Sequence, residues 1–139
     1  MPPGPAPVPI DRAAEARRLA DLFDSLSQAI DDYRQSDKVP PNTLPADLAK
    51  LKTMAQSLED LANHFTAEAI GATLQSIQPD LARIKAVTLD AKAQLGVLKS
   101  VSKVISIATA GLSLGTAIAT GNPVSIASAV EALGQAVVA

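Results

Sequence analysis

The chain has 139 residues, of which 47% are hydrophobic and 19% charged, and its net charge is −2. This length suits one domain with a sizeable core, and the composition favours a globular or membrane-associated protein over a disordered one. Aromatic residues make up only 2% of the chain and basic residues are not in excess, which argues against nucleic-acid binding. The absence of cysteine excludes disulfides and thiolate metal sites.

Proline dominates the first ten residues. It occupies positions 2, 3, 5, 7 and 9, and each proline restrains the residue before it to extended backbone. We therefore predict a disordered, proline-rich arm at residues 1–10. The arm lacks the basic opening and the apolar core of a secretory signal. The sequence therefore leaves the localisation unknown: the protein is either cytoplasmic, or exported by a non-Sec route and membrane-associated.

Two amphipathic helices are expected after the arm. Asp11 has the residue type and position of an N-cap, and the first helix is predicted to run to about Gln35. The second is predicted to begin after a cap at Asn42 or Thr43. Its apolar residues follow a heptad spacing through Leu44, Leu48, Leu51, Ala55, Leu58, Ala62 and Phe65.

A third charged, amphipathic helix is predicted to start at Pro79. The apolar spacing continues past Phe65 to Ile77, so we expect the next break between Ile77 and Pro79. The apolar stripe of this helix consists of Leu81, Ile84, Val87, Ala91, Leu95 and Leu98. From about Leu95 onward the apolar residues fall on every side of a helical wheel, which is typical of a helix that is fully buried or in a membrane.

The last third of the chain is nearly free of charge. Only Lys103 and Glu131 carry charge after position 100. The single break is the sequence Gly121-Asn122-Pro123, where glycine and asparagine tolerate left-handed backbone angles and proline suits the start of a helix. This pattern predicts two apolar helices joined by a tight turn.

The predicted fold is therefore all-α, a helical bundle with a C-terminal hydrophobic helical hairpin. We expect one helical domain at residues 11–139, with an amphipathic body at 11–99 and an apolar hairpin at 100–139. One alternative stays open for residues 104–120. They are rich in β-branched residues and alternate locally, so a β-hairpin that turns near Gly111 is also compatible with the sequence.

No group of residues predicts catalysis. His64 is the single histidine, and no nucleophile or triad pattern accompanies it, so we expect an exposed or capping histidine near a helix end. Scattered carboxylates without cysteine predict no metal site. The glycines near Gly111 lack the lysine and hydroxyl residue that end a nucleotide-binding loop. We predict no enzyme activity, no cofactor and no small-molecule substrate.

Small residues in the first apolar helix predict a close helix contact. Gly111, Gly115 and Ala119 are spaced by four and form a groove that another backbone can approach. A matching smooth face on the last helix contains Ser128, Ala132 and Ala136. Two interpretations are equally compatible with this pattern: association of helices in an apolar setting, within a hairpin or between copies, and tight packing of two core helices in a soluble bundle.

The apolar hairpin is near the lower limit for crossing a bilayer. Residues 104–120 are uncharged and just reach the minimum of about 17 residues for a transmembrane helix. The second arm must carry Glu131, and a charge in hydrocarbon costs about 2.5–3.5 kcal/mol or more. This balance predicts conditional insertion by a hairpin that is first hidden in a soluble form. The residues expected to contact a membrane or a partner are Val104, Ile105, Ile107, Leu112, Leu114, Ile118, Val124, Ile126 and Val130.

Two functions follow from this pattern. The first is a non-enzymatic, membrane-active or membrane-docking protein that shelters its apolar hairpin in a soluble form. This plan is similar to that of α-helical pore-forming toxins and their soluble components, which hide an apolar hairpin against a helical bundle; the similarity is architectural and rests on no family motif. The alternative is a soluble binding or structural module whose C-terminal segment is buried in a homo-oligomer or by a partner protein.

Overall fold

The computed structural model describes residues 11–138, and the predicted proline-rich arm at residues 1–10 lies outside the described residues. Within the described range the fold is all-α and contains no strand, so the β-hairpin alternative for residues 104–120 is wrong. A 3-10 turn at Gln78–Asp80 precedes the fourth helix. The helices of the described residues are α1 (Arg12–Arg34), α2 (Pro45–His64), α3 (Ala67–Ser76), α4 (Leu81–Leu95), α5 (Val101–Thr120) and α6 (Pro123–Val138).

Helix α1 is the centre of the α1–α4 body, because it packs against α2, α3 and α4. The side chain of Asp11 accepts a hydrogen bond from the backbone N–H of Ala14 at 3.0 Å, which confirms the predicted N-cap. Three- and four-residue spacing places one stripe of α1 in the core, as predicted. Its fully buried members include Leu19, Phe23, Leu26 and Ile30.

The start of α2 differs from the expectation. Leu44 is the N-cap residue and makes no side-chain capping bond, so the prediction of Asn42 or Thr43 as the cap is wrong. The hydroxyl of Thr43 donates instead to the carbonyl of Pro40 at 2.7 Å and closes the preceding loop. Leu44 lies outside the helix and is 63% exposed, whereas the later heptad positions from Leu51 onward are buried.

A break at Phe65 and Thr66 was not predicted. Helix α2 ends at His64, and the hydroxyl of Thr66 then accepts a hydrogen bond from the N–H of Ala69 at 3.2 Å to cap α3. Phe65 leaves the helix with its ring in the core, edge-on to the ring of Phe23 with centroids 5.2 Å apart. This aromatic contact and the threonine cap favour the break, although the three- and four-residue spacing runs through it unchanged.

The helix that was predicted to start at Pro79 corresponds to α4, and its predicted continuation past Leu95 is also wrong. Helix α4 ends at Leu95, and α5 begins at Val101 after Ser100, whose side chain accepts from the N–H of Lys103. Val97 is therefore in the loop at residues 96–100, where it is 67% exposed. The apolar residues that seemed to surround one helix belong to a loop and to two different helices.

Helices α5 and α6 pack on each other as the predicted hairpin, which we call the α5–α6 hairpin. In addition, α5 lies against α2, and α6 lies against α4. Buried apolar residues of all six helices belong to one continuous cluster. The hairpin is thus part of the same core as the α1–α4 body.

Replacing Thr66 by alanine removes the oxygen that caps α3. We expect the free energy of unfolding to fall by about 1 kcal/mol, because the N–H of Ala69 loses its acceptor at the helix start. Urea denaturation measures this change. Thr53→Ala is the matched control: its exposed hydroxyl donates to the carbonyl of Ala49 inside α2 at 3.1 Å, and the stability should stay within about 0.5 kcal/mol or rise. Equal losses in both variants would contradict the capping role.

Candidate functional site

The inner face of the α5–α6 hairpin carries most of the residues that the sequence predicted as membrane or partner contacts. Ile105 and Leu112 are only partly buried, and Val124 is 75% exposed on the outside of the hairpin. The chain itself therefore covers most of this set. The members that are at most 3% exposed are Val104, Ile107, Leu114, Ile118, Ile126 and Val130.

Gly111 and Gly115 face the α1–α4 body rather than α6. A β-carbon added at Gly111 would lie 2.9 Å from Cδ2 of Leu26 in α1. One added at Gly115 would lie 2.9 Å from Cδ1 of Leu61 in α2 and 3.1 Å from Cε1 of Phe23 in α1. The glycines thus provide space for body side chains against the backbone of α5.

Ala119, the third member of the predicted groove, is not part of this contact. It is exposed and lines a cleft of about 350 Å³ with Leu61, His64 and Ile70. On α6, Ser128 and Ala132 line a different cleft on the outside of the hairpin. The predicted groove residues of α5 therefore do not lie on the surface that Ser128 and Ala132 line, and the two sets do not meet as one smooth interface.

The turn of the hairpin rests on α3. Gly121 has a φ of +77° and ends α5, and its N–H donates to the carbonyls of Ala117 at 3.0 Å and Ile118 at 3.2 Å. The side chain of Asn122 then accepts from the N–H of Val124 at 3.0 Å, and Pro123 is the first residue of α6. A β-carbon added at Gly121 would lie 2.9 Å from the hydroxyl oxygen of Thr73 in α3.

The outer face of α5 is polar, so the prediction of a helix that is apolar on every side is wrong. Apart from Ala119, its exposed positions carry hydroxyl side chains spaced by three or four residues. Some of these hydroxyls bond back to their own helix: Thr109 donates to the carbonyl of Ile105 at 2.8 Å. A cleft of about 510 Å³ separates the outer faces of the two helices. The exposed hydroxyl residues of α5 are Ser102, Ser106, Thr109, Ser113, Thr116 and Thr120.

Within the described part of the chain, the hydrogen bonds that connect the hairpin to α1 and the segment after it are made through the loop at residues 96–100. The hydroxyl of Tyr33 donates to the carbonyl of Lys99 at 2.8 Å, and the ammonium of Lys38 contacts the carbonyl of Gly96. Hydrogen bonds of residues 101–138 otherwise stay within the hairpin or reach its cap at Ser100. Apolar packing therefore holds α5 and α6 against the body.

Tyr33 is 2% exposed, and burial raises the pKa of its hydroxyl above the ordinary tyrosine value. The neutral hydroxyl is the form that donates to Lys99, so ordinary pH leaves this bond intact.

Some charged side chains of the body form ion pairs within α1 and between α1 and α4. The carboxylate of Glu15 in α1 contacts the guanidinium of Arg18 at 2.7 Å and the ammonium of Lys85 in α4. His64 is exposed, with Nδ1 2.7 Å from the carbonyl of Asp60 in the same helix. Within residues 11–138, no group of three or more histidine, aspartate or glutamate side chains is arranged to hold a metal ion.

Helix α5 is long and apolar enough to cross a membrane by its length and composition. Core helices of soluble proteins have the same properties, and half of the most apolar stretch of α5 is buried inside the fold. Helix α6 is apolar but shorter, with 16 residues. No known protein family matches the chain, and comparison with curated proteins and solved structures found no significant similarity.

Gly115→Ala tests the close contact between α5 and the body, and Gly134→Ala in α6 is its matched control. Both changes favour helix by about 1 kcal/mol, so this gain cancels when the two variants are compared. At Gly134 the added carbon meets only Val87, at 3.7 Å. We expect Gly115→Ala to be less stable than the control by about 1–3 kcal/mol in urea denaturation, because its methyl group overpacks the core. Equal stabilities would contradict the tight contact at Gly115.

Proposed function

We propose that this protein is a non-enzymatic, membrane-docking helical protein that carries its α5–α6 hairpin folded against the α1–α4 body in water and transfers it to a lipid bilayer. One observation supports this proposal above the others. Over residues 101–138 the hairpin is held to the body by apolar packing, with its polar bonds satisfied internally. Such an element can change from a protein environment to a lipid environment without breaking hydrogen bonds of its own.

The apolar contact keeps the hairpin closed in water. Each aliphatic side chain that becomes fully hydrated costs about 1.5–3 kcal/mol, and the inner face contains several, among them Ile107, Leu114 and Ile118. A bilayer removes most of this cost because hydrocarbon is also apolar. The body surface that the transfer uncovers, including Leu26 and Leu61, would lie against the same membrane. Release is therefore conditional on a lipid surface.

The two helices of the hairpin have different roles in this proposal. Helix α5 has 20 residues and a length of about 30 Å, which matches the hydrocarbon thickness of a bilayer. Helix α6 is too short to span and carries Glu131, so it lies in the interface with this carboxylate toward water. The resulting plan, a soluble body that releases an apolar hairpin, is similar to that of α-helical pore-forming toxins and their soluble components.

A disulfide between the hairpin turn and α3 tests whether release is needed for membrane binding. The proposed pair is Thr73→Cys with Gly121→Cys. A β-carbon at position 121 would lie 2.9 Å from Oγ1 of Thr73, which is compatible with the β-carbon separation of about 3.5–4.5 Å in disulfides. The chain contains no other cysteine to compete. In flotation with phosphatidylcholine vesicles, the reduced double variant should bind and the oxidised one should lose binding at least about tenfold.

The control is Gly121→Cys alone under the same oxidation, because it carries the same backbone strain at a positive φ without the cross-link. Its binding should not depend on the oxidant. The hairpin carries one lysine and one glutamate, so binding to these neutral vesicles should change little with salt. Equal flotation of the oxidised and reduced double variants would contradict the proposal, as would a wild-type protein that does not float.

A second function has one observation in its favour. The outer cleft between α5 and α6 is lined by uncharged residues, among them the exposed Val124. This surface supports a soluble binding module in which the hairpin contacts a second copy or a partner protein. Light scattering in buffer and then with vesicles separates the two functions. A stable oligomer that ignores lipid favours the soluble module, and a monomer that binds vesicles favours membrane docking.

A further inference from the structure

The loop at residues 96–100 is fixed to α1 and its following loop at both ends. At its start, the ammonium of Lys38 contacts the carbonyl of Gly96. At its end, the hydroxyl of Tyr33 donates to the carbonyl of Lys99 at 2.8 Å, a contact between residues 66 positions apart. Lys99 directly precedes Ser100, the N-cap of α5. These two bonds therefore fix the backbone from which the α5–α6 hairpin starts.

Movement of α5 away from α2 requires this loop to change conformation. Helices α4 and α5 are rigid on either side of it, so the backbone angles between Gly96 and Ser100 must absorb the change. Val97 is exposed and contributes little packing there, whereas Leu98 is partly buried against the core. The N–H groups of Val97 and Leu98 donate to the carbonyl of Gln94 and fix the loop to α4. The bonds from Tyr33 and Lys38 fix it instead to α1 and the segment after α1, so these two bonds must break when the hairpin moves away from the body.

Tyr33 and Lys38 contribute unequally to holding the loop at residues 96–100 in place. The ring of Tyr33 is buried, so water does not readily replace its hydroxyl as a partner for the carbonyl of Lys99. Lys38 is only partly buried, and water competes for the carbonyl of Gly96. A cleft of about 340 Å³, lined by both side chains together with Asp32, Lys92 and Gly96, gives solvent access to that end of the loop.

We infer that Tyr33, assisted by Lys38, is a latch that sets how often the α5–α6 hairpin leaves the body. This inference rests on the proposed function for its biological purpose, because opening matters only if something receives the hairpin. The latch itself is a property of the protein in buffer. Its strength is therefore measurable without a membrane.

Thiol labelling measures opening directly, because the chain has no cysteine of its own. Ala108→Cys places a reporter on the buried face of α5, and Ala55→Cys places one in α2, where the carbonyl of Ala55 accepts from Ser27 of α1 at 2.6 Å. Each reporter is combined with Tyr33→Phe. We expect the labelling rate at position 108 to rise about three- to tenfold, the effect of one lost hydrogen bond, and the rate at position 55 to stay within about twofold.

Two further variants make the test specific. Thr88→Val removes another buried hydroxyl, which donates within α4 to the carbonyl of Ile84 at 2.8 Å. This variant should leave the ratio of the labelling rates at positions 108 and 55 unchanged. Lys38→Gln should raise the rate at position 108 less than Tyr33→Phe does. An unchanged rate at position 108 in Tyr33→Phe overturns the latch. An equal rise at both reporters also overturns it, because the whole protein is then loosened.

Vesicle binding of the same variants separates the latch from the proposed function. With phosphatidylcholine vesicles, Tyr33→Phe should bind faster by the factor found for labelling at position 108. If labelling accelerates but neither wild type nor variant binds vesicles, the latch stands and the membrane function is wrong. If vesicles bind both proteins at the same rate and labelling is unchanged, the function stands and the latch is wrong.

Discussion

The packing of the glycine face of α5 against α1 and α2 is the contact on which the rest of the structure depends. Gly111 and Gly115 let Leu26, Leu61 and Phe23 reach the backbone of α5. A β-carbon at either glycine would displace these side chains from the backbone of α5, and overpacking of this kind costs stability. The close approach converts an almost uncharged segment, which water solvates poorly, into part of a common core.

Other features of the body support this contact. The ring of Phe65 packs edge-on against Phe23, the same residue that Gly115 approaches from the other helix. The ion pair of Glu15 with Lys85 joins α1 to α4, and α4 in turn supports α6. The hairpin therefore lies on a surface that is itself fixed. The outer face of α5 is occupied mostly by serine and threonine, which water solvates, and this division explains how so apolar a segment fits at the surface of the bundle.

Periodicity in the sequence predicted the all-α fold and the hydrophobic hairpin, but it left a β-hairpin open for residues 104–120, which only the structure excluded. It failed where the chain leaves a helix without interrupting the apolar spacing, as at Phe65 and around Val97. It also did not determine which helix Gly111 and Gly115 face, because α5 carries small residues on several sides. The bond between Tyr33 and Lys99 has no local signal, since the residues are distant in sequence. The domain limits, the proposed partners and the membrane function remain predictions.

Hydrogen exchange of the α5 backbone amides in a lipid-free, monodisperse sample is the most direct test that the body shelters the hairpin. We predict that α5 exchanges about as slowly as α1, because the inner faces of both helices share one core. Amides of α5 that exchange like those of an unfolded peptide, while α1 and α2 stay protected, would contradict the account.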